Sequence, residues 1–202
     1  MGKGRRREKK VAKDFKNKIW YSIEASEAFG KKEIGKTPAF SAESLKNRVF
    51  ETTLYDLTND FNHTHVILKF KYTDLLEASN TVKTMFWGSD FTRDYLRSLV
   101  RRTTSRIDGI FNLKTKDGYQ IRVTALVLTQ RRAKTNQQKS IRAVMREIIE
   151  NAATLNYDEF SYNAVYGNIA REITQRCEKI YPIRRTEVMK IKLVKMPKEI
   201  AA

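Results

Sequence analysis

Very little in this chain could hold it together covalently or carry metal and redox chemistry. Its 202 residues include one cysteine, Cys177, so no internal disulfide can form and no thiolate cluster exists; a reducing cytoplasm is the expected compartment. There are two histidines, His63 and His65. A metal site would need further ligands, and no other cysteine or third histidine supplies them. With 3 Pro and 8 Gly there is no long flexible linker, and there is no internal repeat. One domain, or a tightly joined pair, is the expected organisation. No stretch approaches the ~20 apolar residues of a spanning helix, and no N-terminal apolar run resembles a signal peptide. No membrane partner is therefore expected.

Acids are also scarce, at 23 Asp and Glu against 40 Lys and Arg, for a net charge of +17. The excess is concentrated. Residues 1–18 carry nine bases and two acids, and residues 93–146 carry fourteen bases and three acids (Asp94, Asp108, Asp117). The rest of the chain is close to neutral. A near-neutral body with a basic tail and a basic segment points to a polyanion as partner. The tail, MGKGRRREKKVAKDFKNK, is too charged to fold alone. Arg5, Arg6 and Arg7 beside Lys9 and Lys10 make it a phosphate-binding arm, expected to be disordered until it meets nucleic acid. Residues 19–202 are expected to form a single globular domain.

The hydrophobic pattern predicts an α+β domain. Alternation marks strands over residues 19–24, 48–58, 65–73, 81–87 (closed by Gly88), 119–129 and 187–194. In the last of these, Met189, Ile191 and Leu193 oppose Val188, Lys190 and Lys192. Asp117-Gly118 between two alternating runs is a hairpin signal, and the apolar residues on both faces at the far end of 119–129 predict a central strand covered on both sides. Three helices are expected. The first starts near Ser89 or Asp90, where Arg93, Arg97 and Arg101 would form a ridge spaced by four. The second is capped by Thr135, with a stripe of Ile141, Val144, Met145, Ile148, Ile149 and Ala152. The third runs from about Asp158 to Lys179, with Asn156 and Glu159 making a capping-box-like start. Cys177 lies on the buried stripe of the third and reads as a small hydrophobe.

One segment imitates an enzyme. Gly30-Lys31-Lys32-Glu33-Ile34-Gly35-Lys36-Thr37 matches G-x-x-x-x-G-K-[ST], the phosphate-cradling loop of NTPases. That loop requires a buried strand before its first glycine and a helix at its lysine. Glu24-Ala25-Ser26-Glu27-Ala28-Phe29 is no buried strand, and Pro38 follows at once, so a basic surface loop is the expectation. No nucleophile–base pair, metal cluster or second nucleotide motif accompanies it. A nucleotide-binding protein and a DNA-binding architectural protein are the competing readings. The favoured one is an RNA-binding structural protein with no catalytic activity and no cofactor.

Several segments, in order along nearly the whole chain, give this reading a family. They are Lys18-Ile19-Trp20-Tyr21, Ile34-Gly35-Lys36-Thr37, Arg48-Val49-Phe50-Glu51, Asp90-Phe91-Thr92-Arg93-Asp94, Lys114-Thr115-Lys116-Asp117-Gly118-Tyr119, Thr129-Gln130-Arg131-Arg132 and Ile180-Tyr181-Pro182. Together they resemble the archaeal and eukaryotic small-subunit ribosomal protein S-three-a family, also called S-one-e. The short basic N-terminus and the lack of a long C-terminal extension resemble its archaeal members. The resemblance implies a β-barrel-like antiparallel sheet flanked by helices and a structural role in the small subunit of the cytoplasmic ribosome. It also implies a place on the platform near the mRNA exit, touching the 3′ region of the small-subunit rRNA, neighbouring ribosomal proteins, and mRNA at its exit. Charge and position then nominate Arg93, Arg97, Arg101, Arg102, Arg131, Arg132, Lys134, Lys139 and Arg142, with the tail bases above, as RNA-binding residues. Asn136, Gln137 and Gln138 add amides able to bond phosphate, sugar or base edges.

Overall fold

Two hairpins of alternating apolar residues make the frame, and one late strand joins them. The structure, a computed structural model, describes residues 18–197. The arm with Arg5, Arg6, Arg7, Lys9 and Lys10 lies outside the described residues. The first hairpin pairs β4 (Val66–Leu76) with β5 (Thr81–Phe91), and the second pairs β6 (Arg106–Lys114) with β7 (Gln120–Thr129) across the Asp117-Gly118 turn. Between β5 and β7, antiparallel to both, runs β8 (Ile183–Lys195). β1 (Ile19–Glu24) pairs with β2 (Glu33–Ala39), and runs parallel to the start of β5 at Ser22↔Thr81 and Ile23↔Val82. β3 (Val49–Thr53) adds to the outer edge of β4. The result is one open, mixed sheet of eight strands that branches at β5.

Helices cover both faces of β7. Its Ile121, Val123, Ala125 and Val127 enter the main core, where they join Ile141, Met145, Ile148 and Ile149 of α3 (Thr135–Ala152). The same core takes Phe160 of α4 (Tyr157–Val165) and Ile173 and Cys177 of α5 (Asn168–Cys177). Burial pushes the Cys177 thiol up to about 11, so it packs as an inert apolar group. On the other face Leu126 and Leu128 meet Leu99 of α2 (Arg93–Leu99). Each such fully buried side chain contributes roughly 1.5–3 kcal/mol of transfer free energy. The double coverage expected of residues 119–129 is what the strand has.

Several elements differ from expectation, each for a local reason. The helix expected from Ser89 or Asp90 begins at Arg93. Gly88, Ser89 and Asp90 are held in β5 by pairing with Lys192, Ile191 and Lys190, and the Asp90 carboxylate accepts from the Lys190 ammonium at 2.6 Å. Gly88 does not end the strand: it lets β8 approach so closely that a Cβ there would overlap the Ile191 carbonyl. Residues 48–58 divide into β3 and a short helix, α1 (Leu54–Thr58), because Thr53 and Asp56 form a reciprocal capping box. The single helix expected from Asp158 to Lys179 breaks at Gly167, whose φ of +80° no helix accommodates. Asn156 stands at the N-cap of α4, but Asp117 in the hairpin turn accepts the Tyr157 N–H at 2.9 Å in place of a local side chain. Thr135 is the first residue of α3 and Lys134 its cap. In β8 a bulge leaves Met189 without a partner, since Lys190 pairs with Thr124 and Val188 with Ala125. The bulge turns Val188 into the same core as Ile191 and Leu193.

Candidate nucleic-acid interface

Thr129 ends β7 fully buried, and its hydroxyl ties two loops together. It accepts the Ser105 N–H at 3.0 Å, and its single proton lies between the Arg131 carbonyl at 2.5 Å and the Ser105 carbonyl at 3.2 Å. Ser105 Oγ in turn accepts the Ala133 N–H at 3.0 Å. The loop after α2 is folded back by Thr104, which donates through both its N–H and its hydroxyl to the Arg101 carbonyl. The start of β8 closes the group. Gln130 N–H donates to the Pro182 carbonyl at 3.1 Å, Tyr181 hydroxyl to the Arg132 carbonyl at 3.2 Å, and the Arg184 guanidinium to the Leu99 carbonyl at 3.4 Å. Three chain segments thus meet at the open end of the β6–β7 hairpin. Each brings arginines: Arg101 and Arg102, Arg131 and Arg132, and Arg184.

All nine nominated bases among the described residues are exposed, and none forms an ion pair among the described residues. The charged pairs lie elsewhere, at Arg176 with Glu147 and Glu172 and at Lys69 with Glu51, for example. Arg101, Arg102, Arg131, Arg132 and Lys134 form the rim. The other four flank it on different layers. Arg93 and Arg97 lie on α2, whose Leu99 side packs on the sheet, and Lys139 and Arg142 lie on α3 across the sheet. The ridge spaced by four therefore stops at Arg97, because the chain leaves the helix after Leu99 and Val100 is extended. Arg142 is partly committed, donating from Nε to the Asp108 carbonyl on the outer side of β6 at 3.2 Å. Gln137 and Gln138 are committed too: the first accepts the Lys134 N–H and the second donates to the Ala133 carbonyl. They fix the loop instead of reaching outward.

α2 is held in place by a stack of rings. His65 lies on Tyr95 with centroids 3.6 Å apart, Arg185 stands over the same ring, and Arg185 Nε donates to Glu187 at 2.7 Å. Burial first, then the Arg185 charge, lowers His65 to about 4, while burial and Glu187 push Tyr95 up to about 12. His65 is therefore neutral at physiological pH and serves as packing. Arg184 is the rim residue that charge counting over residues 93–146 passed over. The signal was the Arg184-Arg185 doublet beside Pro182, and the structure separates the two: Arg185 pairs with Glu187, while Arg184 reaches the end of α2.

The Walker-like segment forms no phosphate loop. Gly30 closes a short turn over Glu27–Phe29, and Glu33–Ala39, including Gly35, Lys36 and Thr37, is the edge strand β2 and not the loop expected. No helix starts at Lys36, so the amide cradle that the chemistry needs is not built.

The fold and the distribution of charge define a small basic α+β protein whose unpaired arginines gather at one rim of an open sheet. The chain belongs to the Ribosomal S3Ae family, whose sequence model matches residues 6–197. It is 45% identical over 193 residues to a protein of Staphylothermus marinus, an alignment covering 95% of this chain and 90% of the relative. A protein of Desulfurococcus amylolyticus is 47% identical over 189 residues (93% and 88% covered), and one of Archaeoglobus fulgidus 42% over 196 (96% and 93%). All three are named small ribosomal subunit protein eS1.

Proposed function

We propose that this protein is a structural constituent of the small subunit of the cytoplasmic ribosome, binding rRNA through the rim of Arg101, Arg102, Arg131, Arg132 and Lys134. Arg93, Arg97, Lys139 and Arg142 extend that contact, and the tail bases Arg5, Arg6, Arg7, Lys9 and Lys10 add an arm to a single domain beginning at residue 19. Family membership supports the subunit. The resemblance described above supports the platform near the mRNA exit, the 3′ region of the rRNA and neighbouring ribosomal proteins as its surroundings. The observation that carries RNA binding is the meeting of separate basic segments at one rim, locked by Ser105 and Thr129, whose bases form no ion pair among the described residues. Phosphates are the natural counter-ions. Shape and backbone would be read more than sequence, because an A-form major groove does not admit side chains.

The test is binding of small-subunit rRNA across a salt series, with incorporation followed on sucrose gradients. Arg131→Gln with Arg132→Gln should lower the salt slope by about 1.4 to 1.8, the value for two phosphate contacts. Reversal of Arg97 and Arg101 to Glu should weaken incorporation without unfolding the protein. An unchanged slope and unchanged incorporation would remove the rim from the interface. Tighter binding of duplex DNA than of folded RNA would replace the ribosomal reading with the architectural one.

A further inference from the structure

At the other end of the β6–β7 hairpin, about 30 Å from the rim at the rise of an extended strand, a cavity of about 740 Å³ opens between β1, β4, β5, the hairpin turn and α4. Its charge runs against the rest of the molecule. Glu24, Glu27, Asp117 and Asp158 bring four carboxylates to it, against the ammonium groups of Lys31 and Lys83. Lys31 is taken by Glu27 at 2.6 Å. The Asp158 carboxyl is held above the usual carboxylate range, by burial first and then by the negative charge of Asp117 and Glu27. The wall also contains Ser26, only 7% exposed, whose hydroxyl has no hydrogen-bond partner among the described residues. Beside these polar groups the lining is flat and apolar: Tyr119 stacked on Tyr157 with centroids 4.7 Å apart, and Leu76 and Met85.

We propose that this cavity docks an arginine side chain carried on a basic segment of a neighbouring protein. A guanidinium suits this lining. It is a cation for carboxylates that outnumber the ammonium groups two to one, and a planar donor able to lie on a tyrosine beside them. Its three-carbon stem suits the apolar wall. RNA is excluded by the sign of the charge, so on a chain of net charge +17 this is where a cationic protein is attracted and not repelled. The proposal goes beyond RNA binding and does not depend on it.

The experiment titrates the full chain with a fluorescein-labelled peptide, Gly-Arg-Gly-Arg-Gly-Arg-Gly, read by anisotropy. The same peptide with citrulline for arginine is the uncharged control, and spermidine is the competitor. The arginine peptide should saturate one site per chain and the citrulline peptide should not bind. Glu24→Gln with Asp158→Asn should weaken binding by at least about fivefold, the scale of removing charge partners from a concave site. Glu178→Gln, outside the cavity, should leave it unchanged. Leu76→Arg on the lip provides a guanidinium in cis and should block the peptide, a check independent of how well the double variant folds. Lack of saturable binding, equal binding by the double variant or by Leu76→Arg, or displacement by equimolar spermidine would overturn the proposal. Binding of rRNA by the same variants should be unaltered, so failure here is distinct from failure of the RNA reading.

Discussion

Replacing Thr129 by valine changes one atom's chemistry and almost none of the shape, so it isolates the hydroxyl that joins the two loops of the rim. The side chain is fully buried, and valine leaves no cavity. The change strips the Ser105 N–H of its acceptor and the Arg131 carbonyl of its donor. A buried group left unsatisfied costs about 1–3 kcal/mol, so two cost about 2–6 kcal/mol. In a domain of this size each kcal/mol moves the midpoint by about 2–4 °C, which places the expected loss at roughly 4–24 °C. Thermal unfolding followed by circular dichroism measures it. The functional half is read well below the midpoint, as rRNA affinity over a salt series. Affinity should fall at least about threefold because the Arg101–Arg102 and Arg131–Arg132 loops lose their tie. The salt slope should not move, since no charge has been removed. A midpoint within about 2 °C of the parent at this size of domain, or a changed slope with normal stability, would refute the role given to this hydroxyl.

Three further outcomes are expected. His65 should titrate near 4 by NMR. Because its folded value lies below its unfolded value of about 6.5, stability should fall as pH drops from about 6.5 towards 4, and His65→Phe should flatten that limb in denaturant melts. Gly88→Ala should destabilise the protein by about 1–3 kcal/mol, the scale of an overpacked site. The reason is the Ile191 backbone carbonyl in its path, and hydrogen exchange should show β5 and β8 loosening together. Asp158→Asn should stabilise the protein at pH 7, because the carboxyl is raised and its charged form is the strained one. The gain should vanish once pH falls below both its folded and unfolded values; a gain that persists there would assign the effect to something other than charge.

The elements visible in the sequence were those whose signal is local. Asp117-Gly118 fixed a turn, and the Ile141–Ile149 stripe fixed a helix, without help from distant residues. Leu54-Tyr55-Asp56-Leu57 continues the alternation of β3, so pattern alone joins β3 and α1 into one strand; the cap formed by Thr53 and Asp56 is the local signal that separates them. The break at Gly167 was invisible because a single glycine is tolerated inside a helix. Ser89 and Asp90 are strand and not helix because they pair both with β4 of their own hairpin and with β8, about a hundred residues later in the chain. No local preference reports that. The candidate site divides in the same way. Its charges were readable, but their grouping depends on Ser105 meeting Thr129, and the carboxylates of the cavity come from separate segments with no common motif.

The position of β8 also governs how the protein comes into being. Among the described residues it is the last strand in chain order, and it lies in the middle of the sheet, between β5 and β7. Until Ile183–Lys195 is free of the exit tunnel, the β4–β5 and β6–β7 hairpins have no shared edge, and each exposes unpaired backbone groups. Closing the sheet over such sequence separations is intrinsically slow and leaves those edges open to wrong partners. The β4–β5 and β6–β7 hairpins therefore join into one sheet only after β8 has emerged. The rim is completed with it, since the contacts of Pro182 and Arg184 arrive only with that strand.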